Sequence, residues 1–224
     1  MEKILITGAS SGIGKELAKK LAIKSKKMYL LARSSDKLNL LKKELEEKNP
    51  LIECICIEYD LTDIDNLRNI VENCDVDLVI NCAGFGKITD FLKLSDKEDL
   101  DTVNVNFVSP LILTKKFSEK FLQKGKGIIL NVCSTGALYQ HPYMAVYSST
   151  KSALLHYSLA SDEKRSDCLL VGHIGHPCCG CRLVHSQSYA HEPQPARKGI
   201  RRGCFSRPYA VERQSNPTLG KLGR

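Results

Sequence analysis

Two side chains four residues apart, Tyr147 and Lys151 in the stretch Tyr-Ser-Ser-Thr-Lys, are the pair in this chain best suited to moving a proton. At helical spacing, residues i and i+4 share one face, one turn apart. An ammonium held near a phenol favours the phenolate and lowers a pKa that is about 10 when unperturbed. A tyrosine so placed can give and take a proton near neutrality. The same spacing also arises on any amphipathic helix with a tyrosine and a lysine on its surface. The pair therefore takes its meaning from what surrounds it.

The elements that must position this pair begin at the N-terminus. Lys3 to Thr7 reads as a buried strand, and Gly8-Ala-Ser10-Ser11-Gly12-Ile13-Gly14 follows at once. A helical pattern over 15–24 then places Leu17, Ala18, Leu21 and Ala22 on one face. Strand, glycine-rich turn and helix together form the context a phosphate-binding loop requires. Glycines let the backbone approach a pyrophosphate, and the new helix offers free N–H groups and the positive end of its dipole. The spacing is Gly-x-x-x-Gly-x-Gly rather than the Gly-x-Gly-x-x-Gly of the common dinucleotide fingerprint.

A second strand, Met28 to Ala32, runs into Arg33. In dinucleotide-binding folds the end of this strand meets the adenosine ribose, where an acidic residue would accept from the 2′-hydroxyl. Ala32 and Arg33 stand there instead, which favours NADP(H), with its 2′-phosphate, over NAD(H). A charged helix over 36–48 stops at Asn49-Pro50, and a third strand over 52–59 leads to Asp60 and Leu61. A helix is expected over 63–73, then a fourth strand over 77–81 entering Asn81-Cys82-Ala83-Gly84. A long helical stretch over 96–123 contains Asn104 and Asn106, and a fifth strand over 128–133 ends at Ser134. Strands alternating with helices predict an α/β fold: a doubly wound parallel sheet with helices on both faces, Rossmann-like. Ligands of such sheets sit beyond the carboxyl ends of the strands, where Gly8, Arg33, Asp60, Asn81 and Ser134 all fall.

With these motifs in order, the chain resembles the short-chain dehydrogenase/reductase family, in an NADP-preferring oxidoreductase subgroup. The resemblance rests on Thr7-Gly8-x-x-x-Gly12-x-Gly14, Asp60, Asn81-x-Ala83-Gly84, Asn106, Ser134 and Tyr147-x-x-x-Lys151, and covers residues 1–160. Cys82 stands where the family usually has a second asparagine. The resemblance implies an oxidoreductase that moves hydride between a nicotinamide and a carbonyl or secondary alcohol. It implies Tyr147 as general acid and base, and Lys151 lowering the tyrosine pKa and holding the nicotinamide ribose. Ser134 would hold the carbonyl oxygen, and Asn106 would support a proton-relaying water. Gly8, Ser10, Ser11, Gly12, Ile13 and Gly14 would receive the pyrophosphate. Arg33, Asp60, Leu61, Asn81, Ala83 and Gly84, with Tyr147 and Lys151, would complete the cofactor site. A homodimer or homotetramer, paired through the helices over 96–123 and 148–160, is the family's usual assembly. His141 and His156 read as loop and helix-surface residues, and Cys54, Cys56, Cys74 and Cys133 as small core residues.

Composition bounds the rest. At 42% hydrophobic and 26% charged, the chain has the make-up of a soluble globular protein. No apolar run approaches the roughly 18 residues of a membrane span, and the first residues lack signal-peptide anatomy, so the expectation is cytoplasmic. The net charge of +8 divides unevenly: residues 1–160 carry 22 basic and 20 acidic side chains, residues 161–224 carry 11 and 5. The basic excess thus belongs mainly to the last 64 residues and does not mark the first 160 as nucleic-acid-binding.

Those last residues also change in character. Lysine dominates arginine 20 to 2 before the break and gives way 3 to 8 after it. Periodicity fades past Leu169-Leu170-Val171, and His176-Pro177-Cys178 is a poor trace of the strand ending in Pro-Gly that the family would place next. Residues 161–224 read as an atypical, poorly ordered or out-of-frame tail. The other readings are a divergent substrate region, or a module built on Cys178, Cys179, Cys181 and His185, whose spacing does not fit paired Cys-x-x-Cys metal sites. If the final strands are missing, the fifth strand is an exposed edge, and the chain is an inactive remnant that at most binds cofactor.

Overall fold

Alternate residues of each central strand face opposite sides of the sheet, and here both sides are apolar, as a parallel sheet covered on both faces requires. The computed structural model describes residues 2–139, 141–162 and 169–174, all within one unit, Met1–Ser186. The chain runs β1 (Lys3–Thr7), α1 (Gly12–Ala22), β2 (Lys27–Ala32), α2 (Ser35–Lys48), β3 (Glu53–Glu58), α3 (Leu67–Asn73) and β4 (Leu78–Asn81). It continues through α4 (Asp96–Val103), α5 (Ser109–Lys124), β5 (Gly127–Val132), α6 (Ala145–Asp162) and β6 (Leu169–Ile174). The strands lie in the order β3-β2-β1-β4-β5-β6, and every adjacent pair is parallel. The direction of winding reverses between β1 and β4, which opens a crevice at their carboxyl ends.

The pleat sorts the core into two layers. Ile4, Ile6, Met28, Leu30 and Ile80 pack beneath Ala18 and Ala22 of α1 and Leu38, Leu41 and Leu45 of α2. Leu5, Tyr29, Leu31, Val79 and Ile129 face the other way, against α3 and the Leu113, Phe117 and Phe121 stripe of α5. Burying each such side chain contributes about 1.5–3 kcal/mol, so the two layers fix the strand ends that carry the site.

Three departures from the sequence reading have local causes. Helix α3 begins at Leu67 instead of 63, because Asp60 and Asp63 accept from the backbone N–H groups of Thr62 and Asp65. Such Asx turns compete with helical bonds and delay the first turn. Between α4 and α5, residues Asn104–Val108 form a π-helical turn, so the long helix is continuous but locally widened around Asn106. Finally, β6 pairs with β5 in register from Gly127↔Leu169 to Val132↔Ile174. The fifth strand is therefore not the sheet's edge. Leu169-Leu170-Val171 is the kind of short apolar run that a parallel strand needs, although the surrounding composition disguises it. The expected seventh strand, the cysteine and histidine group around 178–185 and the rest of the tail lie outside the described residues.

Candidate active site

Around the glycine turn, two close approaches leave no room for side chains. Gly8 has φ +69°, and a Cβ there would meet the backbone of Ala83 at 2.8 Å. A Cβ on Gly14 would stand 2.3 Å from the carbonyl oxygen of Gly8. The turn is thus pressed flat against the end of β4, and α1 starts at Gly12 with no acidic residue in its first turn. Its first N–H groups lack helical partners and face the crevice with the dipole's positive end.

The crevice is a cleft of about 430 Å³, lined by Gly8, Ser10, Ser11, Gly12, Ile13, Gly14, Arg33, Asp60, Leu61, Ala83 and Gly84 among others. Of the expected cofactor residues other than Tyr147 and Lys151, only Asn81 does not line it. Its side chain is buried and donates to Asn131 Oδ1 at 2.8 Å and to Thr114 Oγ1 at 3.3 Å. Asn131 in turn donates to Ser158 Oγ at 2.9 Å, so β4, β5, α5 and α6 share one buried polar network beneath the site. Thr7 anchors the chain just past Asn81, its hydroxyl accepting from the N–H groups of Cys82 and Ala83.

Sequence reasoning missed several residues of the cleft: Lys37, Tyr59, Cys82, Phe85 and Val105 also line it. Lys37 had a signal, lying four residues after Arg33, so two cations stand where β2 meets α2. Burial pushes the Cys82 thiol up to about 11, against the pull of the Lys151 ammonium. Burial likewise lifts Cys54 to about 12 and Cys74 and Cys133 to about 11, as suits core residues.

Helix α6 carries Tyr147 and Lys151 into the sheet end. Lys151 is only 4% exposed, and its Nζ donates to the carbonyl oxygen of Val132, the last residue of β5, at 3.0 Å. Burial drives its pKa below the usual lysine value, and the neighbouring Cys133 and Cys82 oppose that shift. A Cβ on Gly84 would stand 3.1 Å from Lys151 Nζ and 3.2 Å from Asn106 Oδ1, so Gly84, Lys151 and Asn106 converge. Asn106 is fully buried in the π-helical turn. It clamps Phe85 by accepting from its N–H at 2.9 Å and donating to its carbonyl at 2.8 Å, and it donates to Thr150 Oγ1 at 3.2 Å.

The Tyr147 ring lies between two glycines. A Cβ on Gly86 would be 2.6 Å from Cδ2, and one on Gly136 would be 3.3 Å from Cε1 at the opposite edge. Ser134 sits at the end of β5, its hydroxyl accepting from Gly136 N–H at 3.1 Å, in the turn that borders this ring. His141 and His156 are exposed, and His156 keeps its Nδ1 against Ser152 O at 2.8 Å on the surface of α6.

A dinucleotide suits this arrangement on three observations: a flat glycine cradle, an uncapped helix N-terminus and a cleft running toward a buried lysine. Comparisons with known proteins agree with it. The sequence profile described as "short chain dehydrogenase" matches residues 2–167. A very-long-chain 3-oxoacyl-CoA reductase of Coccidioides immitis is 32% identical over 163 residues, which is 70% of this chain and 47% of that protein. An NADP-dependent 3-hydroxy acid dehydrogenase of Schizosaccharomyces pombe is 33% identical over 171 residues, covering 73% and 66% of the two chains. Among solved structures, a bulky-bulky ketone specific alcohol dehydrogenase from Comamonas testosteroni superposes with a TM-score of 0.74 at 27% identity, over 78% of this chain and 71% of that one. The chain spans about half the length of the curated reductases it matches. Among the described residues, no helix is long and apolar enough to cross a membrane.

Proposed function

Because the chain belongs to the short-chain dehydrogenase family, we propose that it is an NADP(H)-preferring oxidoreductase interconverting a carbonyl and a secondary alcohol, with Tyr147 as general acid and base. The observation that carries this reading is the buried Lys151 ammonium, one helical turn from Tyr147 and tied to the end of β5. A bound nicotinamide supplies or accepts the hydride. Tyr147 gives its hydroxyl proton to the carbonyl oxygen as the carbon receives hydride, and takes it back in the oxidative direction. Ser134 would hold that oxygen where negative charge develops. Gly8, Gly12 and Gly14 with the α1 N-terminus would bind the pyrophosphate, Asp60 and Leu61 the adenine side, and Lys151 the nicotinamide ribose. Asn106 acts through the loop it holds: its clamp on Phe85 keeps the chain beside Gly84 and Lys151 in place.

The cofactor preference follows from charge. Arg33 and Lys37 line the adenosine end of the cleft, and both are exposed enough to meet a 2′-phosphate. The S. pombe relative, described as NADP-dependent, supports the same preference.

A second reading is a chain that binds cofactor through its first 160 residues and does not turn over, which the composition break after 160 favours. Removing the Tyr147 hydroxyl tests the first. Tyr147→Phe should lower NADPH oxidation across a carbonyl panel by 10²-fold or more while NADPH fluorescence titrations stay unchanged, in line with the roughly 10²–10⁴-fold that general acid–base catalysis supplies. Near-wild-type turnover would remove Tyr147 from the mechanism. Wild-type protein that binds NADPH but fails to oxidise it with every carbonyl of the panel would establish the second reading.

A further inference from the structure

The substrate should occupy the space outside Tyr147, and two loops define that space. The loop after β4 runs over 85–94, and the loop from β5 to α6 over 134–144. Gly86 of the first and Gly136 of the second flank the Tyr147 ring. The loops are tied together where Thr89 N–H donates to the carbonyl of Tyr143 at 2.9 Å. Among the described residues Tyr143 is the one non-glycine with positive φ, at 64°, a conformation held at some cost.

The two loops turn large apolar side chains outward. Ile88, Phe91, Leu92, Leu138, Tyr139 and Tyr143 are each 55–78% exposed, although nothing in folding rewards leaving them there. Exposed apolar groups on loops that flank one residue mark a binding surface, and Phe91 and Tyr143 line a small pocket together with Tyr147, the proposed proton donor. Charge is sparse beside it. Loop 134–144 contains no Lys, Arg, Asp or Glu. On the other loop Lys87 pairs with Glu98, and Asp90 is occupied by the N–H of Leu92 at 3.0 Å. Lys93 and the paired Lys87 are the exposed charges of that loop.

We infer that this collar binds the non-reacting part of the substrate, and that this part is long or bulky, apolar and uncharged. The substrate class is therefore a carbonyl or secondary alcohol flanked by a large hydrocarbon group, in preference to a short hydroxy acid. The inference rests on Tyr147 being the proton donor, since that reading places the reacting carbon against the collar. One hydrocarbon chemistry could arrive from two sources: a free ketone or an acyl thioester.

The test uses the full chain with NADPH and three sets of compounds: methyl ketones of increasing chain length, 3-oxoacyl thioesters of matching length, and short 3-oxo acids. Direct binding of the corresponding secondary alcohols to the NADP⁺-loaded protein is followed by calorimetry. We expect kcat/KM and affinity to rise about three- to fourfold per added methylene until the collar is filled, the gain that burying a methylene supports. A Leu138→Ser/Tyr139→Ser variant should flatten that series while NADPH binding holds. Equal slopes for ketones and thioesters place recognition in the hydrocarbon alone, and a thioester advantage identifies the acyl source. Alcohols that bind with the predicted slope in the absence of any turnover keep the collar and overturn the proposed activity. A flat or falling series, the result expected if a second copy or residues past 174 cover the collar, overturns the inference, as does a preference for the short 3-oxo acids.

Discussion

Substituting alanine for Gly86 adds one methyl group against the ring of Tyr147, and the geometry gives the size of the disturbance. The new carbon would lie 2.6 Å from Cδ2 and 2.8 Å from Cγ, where ordinary contact begins at 3.4 Å, so the ring must retreat by about 0.8 Å. Displacing a reacting group by about 1 Å can cost 10²-fold in rate, close to 2.7 kcal/mol of barrier. Overpacking should cost a further 1–3 kcal/mol of stability, which lowers Tm by several degrees and leaves the protein folded. Gly86→Ala should therefore lower kcat for NADPH oxidation by roughly 30- to 300-fold with cofactor affinity intact. The decisive measurement is a double-mutant cycle with Tyr147→Phe. If Gly86 acts by placing the phenolic hydroxyl, adding Gly86→Ala to Tyr147→Phe costs less than about threefold more, because there is no hydroxyl left to misplace. Equal losses in both backgrounds, or a single variant with wild-type kcat, would refute the reasoning.

Three other outcomes follow from the site and its supports. Arg33→Ala/Lys37→Ala should raise KM for NADPH by about 10-fold or more and leave KM for NADH nearly unchanged, as expected when charge-assisted contacts to one phosphate are lost; equal effects on both cofactors would remove these residues from discrimination. Lys151→Met should abolish turnover without lowering stability at pH 7. The buried Lys151 has a depressed pKa, so the unfolded chain binds more protons between that value and 10.5, and wild-type stability rises with pH across that window. The variant should lack that rise in denaturant midpoints; a matching rise in both proteins would show that Lys151 is not its source. At the opposite end of the sheet, Lys3 and Lys124 hold the Asp75 carboxyl down to about 2. Its stabilising contribution is present above the ordinary aspartate value and fades as pH falls toward 2, so Asp75→Asn should flatten the acid limb of the urea midpoint between pH 4 and 2. An unchanged acid limb would count against the pairing.

Much of this molecule can be read from its residues, for identifiable reasons. Strands such as Leu5 with its neighbours, and the glycines ahead of α1, are written in local sequence: unbroken apolar runs and a turn that only glycine permits. The sites of Gly8, Arg33, Asp60 and Ser134 follow once the alternation of strand and helix places them at strand ends. What escaped depends on distant partners. The facing of Gly86 toward Tyr147 links residues 61 apart in the chain, and the lining by Tyr59, Phe85 and Val105 exists only after the sheet has closed. The motif alone places Asn81 in the cleft, yet its amide turns inward because Asn131 and Thr114 offer it buried partners. β6 was hidden by composition: six residues suffice for a strand, and an abrupt shift in arginine and cysteine usage says little about six residues.

The polar network around Asn131 has a bearing on how this scaffold could change over time. Asn81, Thr114, Asn131 and Ser158 meet in the buried interior, and among the described residues the Oδ1 of Asn81 already lacks a partner. A slide of α6 by one turn would strand several more buried polar groups, each costing about 1–3 kcal/mol. The helix bearing Tyr147 and Lys151 is thereby keyed to a single seating on the sheet. Apart from Phe85, Gly86 and Gly136, which hold or touch the site, the outward-facing positions of the two rim loops carry no such key, so new specificities can be tried there while Tyr147 and Lys151 stay where they are.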